Sequence, residues 1–496
     1  SLENRVRLFR ELIEDTKDAV GDSCAVAVRF CVEEFLGSQG ITSENEGKEI
    51  IEMLAELPDL WDVNISDWSM DSATSRFESE GYQEQYMSFV KSMTSKPVVG
   101  VGRFTSPDTM LSLIQRGVMD LIGAARPSIA DPFLPKKIEE GREDEIRECI
   151  GCNICVMSDE LSVPISCTQN PTMGEEWRRG WHPERIEPRN SDDGVLVVGG
   201  GPAGLECALA LGQRGYRVIL AEASAELGGR VSRESRLPGL AEWGRVRDYR
   251  VLMLERLANV TIYRENLLSA DEIFEFSAED QFDYSHVLLA NGSSWRRNGL
   301  GRIHREPIPG LDKLQVFTPD DIMDGVLAKG RVVVFDDDHF YMGGVLAEKL
   351  RREGHDVLIV TPAPDISTWT HKTLEQKKVQ KQLMDLGVEL ATQTNLTAAE
   401  TGKVELSCIF TERKIERECD SLLLVTERIP NDGLFDSLNG DPERLTNAGI
   451  KTLKCIGDSF APGTIAAAVY SGHLAARELQ AEPQEEVPFL RERIQI

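Results

Sequence analysis

The chain has 496 residues, 41% hydrophobic and 28% charged, a globular composition that excludes a disordered or low-complexity protein. Its 55 Lys and Arg against 83 Asp and Glu give a net charge of −28. A surface this acidic repels phosphate backbones, and no apolar run reaches the ~18–20 residues of a membrane-spanning helix, so neither nucleic acid nor a membrane is an expected partner.

The first 148 residues repeat a strand–helix pattern. Apolar strands are predicted over 24–30, 61–65, 97–102 and 120–125, and amphipathic helices follow them. This alternation indicates a parallel sheet covered by helices. Four such units are half of the eight in a (β/α)8 barrel. We therefore predict the C-terminal half of a barrel, whose first half lies outside this chain; an open flavodoxin-like sheet is the alternative.

Candidate ligand-binding residues stand where these predicted strands end, the edge at which barrels bind ligands. They are Arg29, Trp68, Asp71, Gly102, Arg103, Ala125 and Arg126. The Gly-Arg and Ala-Arg pairs would offer main-chain N–H groups and guanidinium groups to a phosphate. Arg29 could stabilise a reduced flavin ring. For any one arginine, a solvated surface charge is the alternative.

A cysteine motif opens the segment 149–190. It reads Cys149-x2-Cys152-x2-Cys155-x11-Cys167. Four thiolates suit either a [4Fe–4S] cluster or a tetrahedral zinc ion. Zinc usually takes two separated CxxC pairs, whereas three closely spaced cysteines and a distant fourth favour iron–sulfur. We predict a [4Fe–4S] cluster.

A nucleotide-binding motif begins the predicted domain 191–325. Gly199-x-Gly201-x-x-Gly204 follows a strand and opens a helix, so its main chain can approach a pyrophosphate closely. Glu222 ends the next strand, where a carboxylate accepts hydrogen bonds from ribose hydroxyls. The pattern predicts an unphosphorylated ribose, as in ADP, FAD or NAD.

A second strand–helix–strand unit, within 326–450, lacks the glycines of such a motif. Asp336, Asp337 and Asp338 stand where a pyrophosphate would dock and would repel it. We predict that this second nucleotide site is not functional; an outward-bulging loop that still admits a cofactor is the alternative. Residues 451–496 return to the first nucleotide domain, contribute Asp458 as a further cofactor residue and end in a polar tail.

Several motifs together resemble Old Yellow Enzyme-like flavoproteins that carry an iron–sulfur cluster. The resemblance extends over essentially the whole chain and keeps its domain order. Residues 126–135 and 167–183 are most similar to the trimethylamine/histamine dehydrogenase branch. The resemblance implies FMN on the barrel, a [4Fe–4S] cluster and ADP (or FAD) at the glycine motif.

The resemblance also implies roles for residues in the barrel half. Asp71 matches the active-site aspartate, and Trp68 an aromatic wall that holds a cationic amine by cation–π attraction. Arg29 matches the flavin-contacting arginine. Asp159, or Glu160 if the shortened loop shifts the match by one residue, stands where part of the branch has an aromatic residue, four positions after the third cluster cysteine. A carboxylate there suits a substrate with a second basic group; a solvated loop residue is the alternative.

These features predict an amine dehydrogenase that oxidises a small histamine-like or methylated amine to an imine or aldehyde. Electrons would pass from FMN through the cluster to an electron-transferring flavoprotein. One alternative is an NADPH-dependent 2,4-dienoyl-CoA or enoate reductase, which needs a working second nucleotide site. Another is a non-catalytic electron-transfer module of a larger flavoprotein complex. We further expect a cytoplasmic homodimer.

Overall fold

The computed structural model describes residues 1–277 and 283–481, and the predicted polar tail lies outside them. The chain divides into two compact units, Ser1–Gly151 and Cys152–Ile496. None of the described helices is both long and apolar enough to cross a bilayer.

The first unit is a parallel sheet of four neighbouring strands, in the order β1-β2-β3-β4, with helices between them. This arrangement confirms the predicted strand–helix repeat. The elements are α1 (Leu2–Val20), β1 (Ala27–Cys31), α2 (Glu46–Leu54), β2 (Leu60–Asn64), α3 (Trp68–Asp71), α4 (Glu84–Met87), β3 (Val98–Gly100), α5 (Pro107–Gln115), β4 (Leu121–Ile122), α6 (Ala125–Ala130) and α7 (Leu134–Glu139).

The two faces of this sheet differ in polarity. Val28 on β1 and Trp61 on β2 pair in register and are buried in the apolar core beneath the helices. Their neighbours Arg29 and Asp62 pair in register on the opposite face. Because side chains alternate along a strand, this second face carries polar groups to the carboxyl ends of the strands. The first strand begins at Ala27, later than the predicted start at residue 24, and the N–H of the preceding Val26 donates to the side chain of Asp59 instead of to a neighbouring strand.

The second unit contains two five-stranded parallel sheets, in the orders β19-β8-β5-β6-β7 and β10-β17-β11-β12-β13. Its elements are α8 (Ile154–Glu160), α9 (Glu176–Arg179), β5 (Gly194–Val198), α10 (Pro202–Gln213), β6 (Arg217–Ala221), α11 (Arg230–Glu234), α12 (Arg245–Glu255), β7 (Val260–Tyr263), α13 (Ala270–Phe276), β8 (His286–Leu289), β9 (Ser293–Trp295), β10 (Gln315–Phe317), α14 (Pro319–Met323), β11 (Arg331–Asp336), α15 (Tyr341–Arg352), β12 (Asp356–Val360), α16 (Gln376–Asp385), β13 (Glu389–Ala391), β14 (Thr394–Glu400), β15 (Lys403–Cys408), β16 (Lys414–Glu418), β17 (Ser421–Val425), β18 (Arg428–Pro430), α17 (Gly433–Asn439), α18 (Pro442–Asn447), β19 (Thr452–Cys455) and α19 (Ile465–Glu478).

The order of the strands shows how the second unit is connected. The first sheet closes with β19, which pairs with β8 although the whole second sheet lies between them in sequence. The second sheet is therefore an insertion into the first nucleotide-binding fold. An antiparallel ribbon of β14, β15 and β16, which the sequence did not predict, follows β13.

Helix α10 is buried on nearly every side and packs against α19. Small residues permit this close approach: a Cβ atom at Gly472 would lie 2.1 Å from the carbonyl oxygen of Ala203. The charged side chain of Glu206 is buried in the same helix. Since a buried charge requires partners, Glu206 must bind polar side chains of the helices packed against α10.

Candidate functional site

A charged cluster lies at the carboxyl ends of β1 and β2. The Arg29 guanidinium is 3.7 Å from a carboxylate oxygen of Asp62 and 3.7 Å from one of Asp71. Burial raises the pKa of the Asp62 carboxyl, and the nearby Arg29 opposes this rise. The structure therefore brings together two of the predicted site residues, Arg29 and Asp71, and adds Asp62.

The Asp71 carboxylate is held from its other side by a residue that the sequence analysis missed. Gln83, which is 1% exposed, donates from Nε2 to Asp71 Oδ1 at 2.9 Å and to the Asp71 carbonyl oxygen at 3.1 Å. The hydroxyl of neighbouring Tyr82 lies 2.6 Å from the Met70 carbonyl oxygen. These contacts fix the end of α3. The only local signal was a polar pair after Gly81, which does not reveal a partner twelve residues earlier.

Trp68 and Asp71 are the first and last residues of the single helical turn α3. Asp67 caps this turn, accepting hydrogen bonds from the N–H groups of Ser69 and Met70. Residues three apart lie on the same side of a helix, so the indole and the carboxylate share one side. Trp68 is 44% exposed, a large apolar surface available to a ligand.

Two of the predicted phosphate-binding residues are also placed close together. Arg103, in the left-handed region at φ 56°, is buried and donates to the Ala73 carbonyl at 3.3 Å. Arg126 donates to the same carbonyl at 3.0 Å. Gly102 accepts a 2.8 Å hydrogen bond from the Gly81 N–H, and Ala125 begins α6. The two guanidinium groups therefore brace the loop after α3.

The cysteines of the motif are all free thiols. In the first unit, Cys149 Sγ accepts a hydrogen bond from the Gly151 N–H at 3.4 Å. Gly151 and Asn153 take left-handed conformations, with φ of 60° and 55°, which bend the chain sharply between the cysteines. Amide hydrogen bonds to cysteine sulfur are typical of iron–sulfur sites.

The remaining three cysteines belong to the second unit. Cys155 lies on α8, Cys152 Sγ is 3.2 Å from Thr168 Oγ1, and Cys167 Sγ accepts from the Gln169 N–H at 3.4 Å. Burial raises the pKa of the Cys152 thiol, which therefore stays protonated unless a metal binds it. Across residues 1–277 and 283–481, no group of three or more His, Cys, Asp or Glu side chains has the geometry of a metal site.

Asp159 is exposed near the end of α8. The adjacent Glu160 is exposed as well and forms an ion pair with Lys372 at 3.5 Å. Both carboxylates of this helix end are therefore accessible, and the choice of Asp159 as a substrate-binding residue stays a prediction.

A cavity of about 1170 Å³ lies against the glycine motif. Gly199, at φ 104°, has no room for a side chain because a Cβ atom would lie 2.4 Å from the Ala290 carbonyl oxygen. A Cβ at Gly204 would lie 1.8 Å from the Gly199 carbonyl oxygen, whereas one at Gly201 would meet nothing within 4 Å. The first and third glycines thus permit the tight turn, and the second leaves space for a ligand.

Glu222 borders the same cavity at the end of β6. Its carboxylate accepts from the Gly200 N–H at 2.6 Å and from the Ser224 N–H at 2.8 Å. Oε1 accepts from the Ser224 hydroxyl as well, at 2.5 Å, so the remaining acceptor capacity for a ribose hydroxyl lies on Oε2. The structure brings Glu222 and the glycine loop together as the motif predicts.

Asp458 lies elsewhere on the cavity wall and is already engaged. Its Oδ2 accepts hydrogen bonds from Arg230 at 2.9 Å, from Ser293 at 3.1 Å and from Arg428. Its Oδ1 accepts from the Gly463 N–H at 3.0 Å. Two arginines thus neutralise this carboxylate from positions distant in sequence. The motif could not reveal this arrangement.

In the loop after β11, the aspartate side chains point into the protein. Asp336 and Asp337 are fully buried. Asp337 Oδ2 accepts hydrogen bonds from the N–H groups of Ile303 and His304 at 3.0 and 2.8 Å. Burial raises the pKa of Asp336 to about 7. The two carboxylates are therefore enclosed within the protein, and that this second nucleotide site is not functional stays a prediction.

Family models match both units. Residues 1–145 match the NADH:flavin oxidoreductase / NADH oxidase family, and residues 193–452 match the pyridine nucleotide-disulphide oxidoreductase family. The chain is 40% identical to dimethylamine dehydrogenase of Hyphomicrobium sp. (strain x), over 99% of this chain and 70% of that protein.

Solved structures give the same result. Histamine dehydrogenase from Rhizobium sp. 4-9 is 48% identical with a TM-score of 0.96, covering 100% of this chain and 72% of that one. The 6-hydroxypseudooxynicotine amine oxidase from Pseudomonas geniculata N1 is 49% identical with a TM-score of 0.92, covering 97% of this chain and 71% of that one.

The folds and the site define a flavin-dependent oxidoreductase built from barrel and nucleotide-binding folds. Within that class, the chain belongs to the Old Yellow Enzyme-like flavoproteins of the trimethylamine/histamine dehydrogenase branch, a family of amine-oxidising enzymes. The fold class and the family predicted from the sequence are thereby confirmed.

Proposed function

We propose that this chain is part of an iron–sulfur flavoprotein that oxidises a small amine and passes the electrons to an electron-transferring flavoprotein. The observation that carries the proposal is the Asp71 carboxylate, fixed between Gln83 and Arg29 on the same helical turn as the exposed Trp68. An anionic group beside an aromatic face is the arrangement that attracts an amine.

The division of roles follows from these contacts. Trp68 provides the wall of the amine site, and Asp71 orients the nitrogen by accepting a hydrogen bond. FMN, when bound, supplies the acceptor for the hydride equivalent that leaves the carbon next to the nitrogen. Hydride loss leaves an iminium ion, which in a primary or secondary amine releases its N–H proton to water; water then adds to the carbon–nitrogen double bond to release an aldehyde and ammonia or a smaller amine. Asp159 is proposed as a selector for a second basic group.

The residues proposed to hold FMN are Arg29, Gly102, Arg103, Ala125 and Arg126. Arg29 lies on the polar face of the sheet and carries a charge that would stabilise an electron-rich ring. The guanidinium groups of Arg103 and Arg126 converge on the Ala73 carbonyl. They would therefore act on a phosphate mainly by their charge and by the loop conformation that they maintain.

Cys149, Cys152, Cys155 and Cys167 are proposed as the ligands of a [4Fe–4S] cluster on the spacing of the motif. The thiols are free, and amide groups donate to the sulfurs of Cys149 and Cys167. The cluster would convert a two-electron oxidation into the one-electron steps that a flavoprotein partner accepts.

ADP is proposed as the occupant of the glycine-loop cavity, in preference to FAD. Glu222 retains acceptor capacity for a ribose. Asp458 accepts more hydrogen bonds. Its Oδ2 is occupied by Arg230, Ser293 and Arg428, and only Oδ1, which accepts from the Gly463 N–H, has capacity left for a ribitol hydroxyl of a flavin. The flavin half of FAD is therefore expected to add little binding free energy beyond that of ADP.

We propose domain limits of 1–148 for the barrel half and 149–190 for the cluster segment. Residues 191–325 and 451–496 would form the ADP-binding domain, with 326–450 inserted. The buried Asp336 and Asp337 count against an NADPH-dependent reductase, because carboxylates in the loop after β11 would repel a pyrophosphate that docks there. A homodimer in the cytoplasm completes the proposal.

The test is anaerobic flavin bleaching of the purified holoenzyme with histamine, dimethylamine, trimethylamine or NADPH in separate cuvettes. Bleaching by an amine and not by NADPH is expected, followed by one-electron reduction of an added electron-transferring flavoprotein. Preference for histamine would support Asp159 as a selector, which an Asp159→Ala variant would then abolish. Rapid bleaching by NADPH would instead identify a reductase.

A further inference from the structure

We propose that Arg250 and Glu206 are positioning residues that connect the nucleotide-binding helix α10 to the loop carrying the cluster cysteine Cys167. Through them, a bound nucleotide would stabilise the cluster without taking part in electron transfer. The inference rests on the proposed cluster and on the proposed ADP. It gives the bound ADP a structural role, the stabilisation of the cluster.

Arg250, on α12, is fully buried and binds the cluster loop with two of its nitrogens. Its Nη1 donates to the side-chain oxygen of Gln169 at 3.0 Å, and its Nη2 donates to the Gln169 carbonyl oxygen at 3.1 Å. The N–H of Gln169 in turn donates to Cys167 Sγ at 3.4 Å. One guanidinium group thus fixes both ends of the residue whose amide contacts the sulfur.

The third nitrogen of Arg250 binds the nucleotide-binding helix. Its Nε donates to Glu206 Oε2 at 2.8 Å. Glu206 lies on α10 two residues after Gly204, the last glycine of the motif, so its position depends on the turn that would cradle a pyrophosphate. The guanidinium is therefore shared between the nucleotide loop and the cluster loop.

The carboxylate of Glu206 is fixed from its other side as well. His473 on α19 lies with Nδ1 2.8 Å from Glu206 Oε1, and Arg477 donates to His473 Nε2 at 2.7 Å. Since Nε2 accepts, the imidazole is neutral and its Nδ1 carries the proton that it donates to Glu206. Glu206 thus cannot turn away from Arg250 without losing a buried partner.

As a consequence, the occupancy of the nucleotide site and the stability of the cluster depend on each other. Groups outside the direct ligands orient cysteine ligands, and hydrogen bonds to sulfur tune a cluster's properties. A nucleotide that orders the start of α10 would favour the Glu206 position that holds Arg250, and hence the ordered Cys167 loop. By linkage, loss of either occupant weakens retention of the other.

The experiment compares Arg250→Met, Arg250→Lys and Glu206→Gln with wild type in the anaerobically purified holoenzyme. The control is Arg214→Met, a buried arginine whose described hydrogen bonds go to main-chain carbonyls at residues 187–188 and at the end of α19. The readouts are the rate of iron release to a chelator, the electron paramagnetic resonance spectrum of the reduced cluster, and ADP content by chromatography.

We expect Arg250→Met and Glu206→Gln to release iron about tenfold faster or more and to alter the resonance spectrum. Arg250→Lys should recover part of the effect, because one ammonium group can replace only some of the hydrogen bonds. Arg214→Met should leave both readouts at wild-type values. Dialysing ADP out of the wild-type enzyme should accelerate iron release as the variants do, and adding ADP back should reverse this.

Wild-type iron release and spectrum in Arg250→Met, or no effect of removing ADP, would overturn the inference while the proposed function stands. A wild-type protein that contains no cluster would instead overturn the proposed cofactor. If Arg250→Met does not fold, the removal and return of ADP in the wild-type enzyme still decides between the two outcomes.

Discussion

The side-chain amide of Gln83 donates to both the carboxylate and the carbonyl oxygen of Asp71, at 2.9 and 3.1 Å. Two hydrogen bonds from one buried nitrogen fix the carboxylate relative to the main chain that carries it. Asp71 is therefore oriented before any ligand arrives, and a preorganised group requires little rearrangement during the reaction.

Replacing Gln83 with Leu should impair amine oxidation without displacing the flavin. A hydrogen bond to a charged group is worth ~1.5–3 kcal/mol, so kcat/KM for the amine is expected to fall by about tenfold or more. Steady-state kinetics and FMN absorbance measure the two effects. The control is Gln85→Leu, since Gln85 bonds only the Tyr82 carbonyl among its described contacts. Equal losses in both variants would contradict a specific role for Gln83.

Changing Asp71 to Asn should lower kcat by about 100-fold or more, because groups that orient or accept protons in the reaction contribute on this scale. The amide keeps an oxygen for Gln83 but removes the charge that pairs with Arg29. FMN and iron contents should match wild type. Turnover at the wild-type rate would remove Asp71 from the site.

Changing Glu222 to Gln should reduce the ADP retained by the purified protein by about tenfold. The substituted amide keeps one oxygen for the Gly200 N–H but loses the charge and acceptor capacity that hold a ribose. Chromatography of the released nucleotide measures the loss. Glu226→Gln is the matched control, because Glu226 lines the same cavity but pairs with Arg236 and Arg247. ADP retention at the wild-type level in Glu222→Gln would be inconsistent with the ribose role.

The buried Asp336 predicts a dependence of stability on pH. Burial raises its pKa from 3.8 to about 7, so the folded state binds a proton that the unfolded chain has released. The contribution of protonated Asp336 to the free energy of unfolding is therefore complete below about pH 4 and is lost as the pH rises through 7. Asp336→Asn cannot ionise and should therefore gain stability relative to wild type between pH 5 and pH 8, by about 1–3 kcal/mol.

Urea denaturation of wild type and Asp336→Asn at pH 5 and at pH 8 measures this difference in stability. Asp385→Asn, at the exposed end of α16, is the control and should show no such change. A wild-type difference that persists in Asp336→Asn would assign the pH dependence to other groups.

Much of the fold could be predicted because its signals are local. The glycine spacing and Glu222 lie within one strand–helix–strand unit, so the motif contains the whole arrangement. The contacts that complete the sites are not local. Gln83 reaches Asp71 across a loop, and Arg230 and Arg428 reach Asp458 from different strands and helices. No pattern within one sequence shows which distant arginine will neutralise a carboxylate.

The arginines at the strand ends show the same limit. Their positions indicated a common edge of the sheet, which the structure has. The sequence could not indicate that Arg103 and Arg126 would share the Ala73 carbonyl. A long guanidinium side chain reaches many acceptors, and its choice depends on the path of the loop after α3.

The carboxylate of Asp337 has a consequence for how this protein could change. It is tethered to the chain, so its effective concentration beside the N–H groups of Ile303 and His304 stays high and a free anion competes with it at a disadvantage. A Cβ at Gly301 would lie 2.3 Å from this carboxylate, so the facing segment has adapted to it. If the second nucleotide site is not functional, as we propose, replacing Asp337 alone would leave Asp336 and Asp338 in the same loop, so more than one substitution would be needed to admit a pyrophosphate.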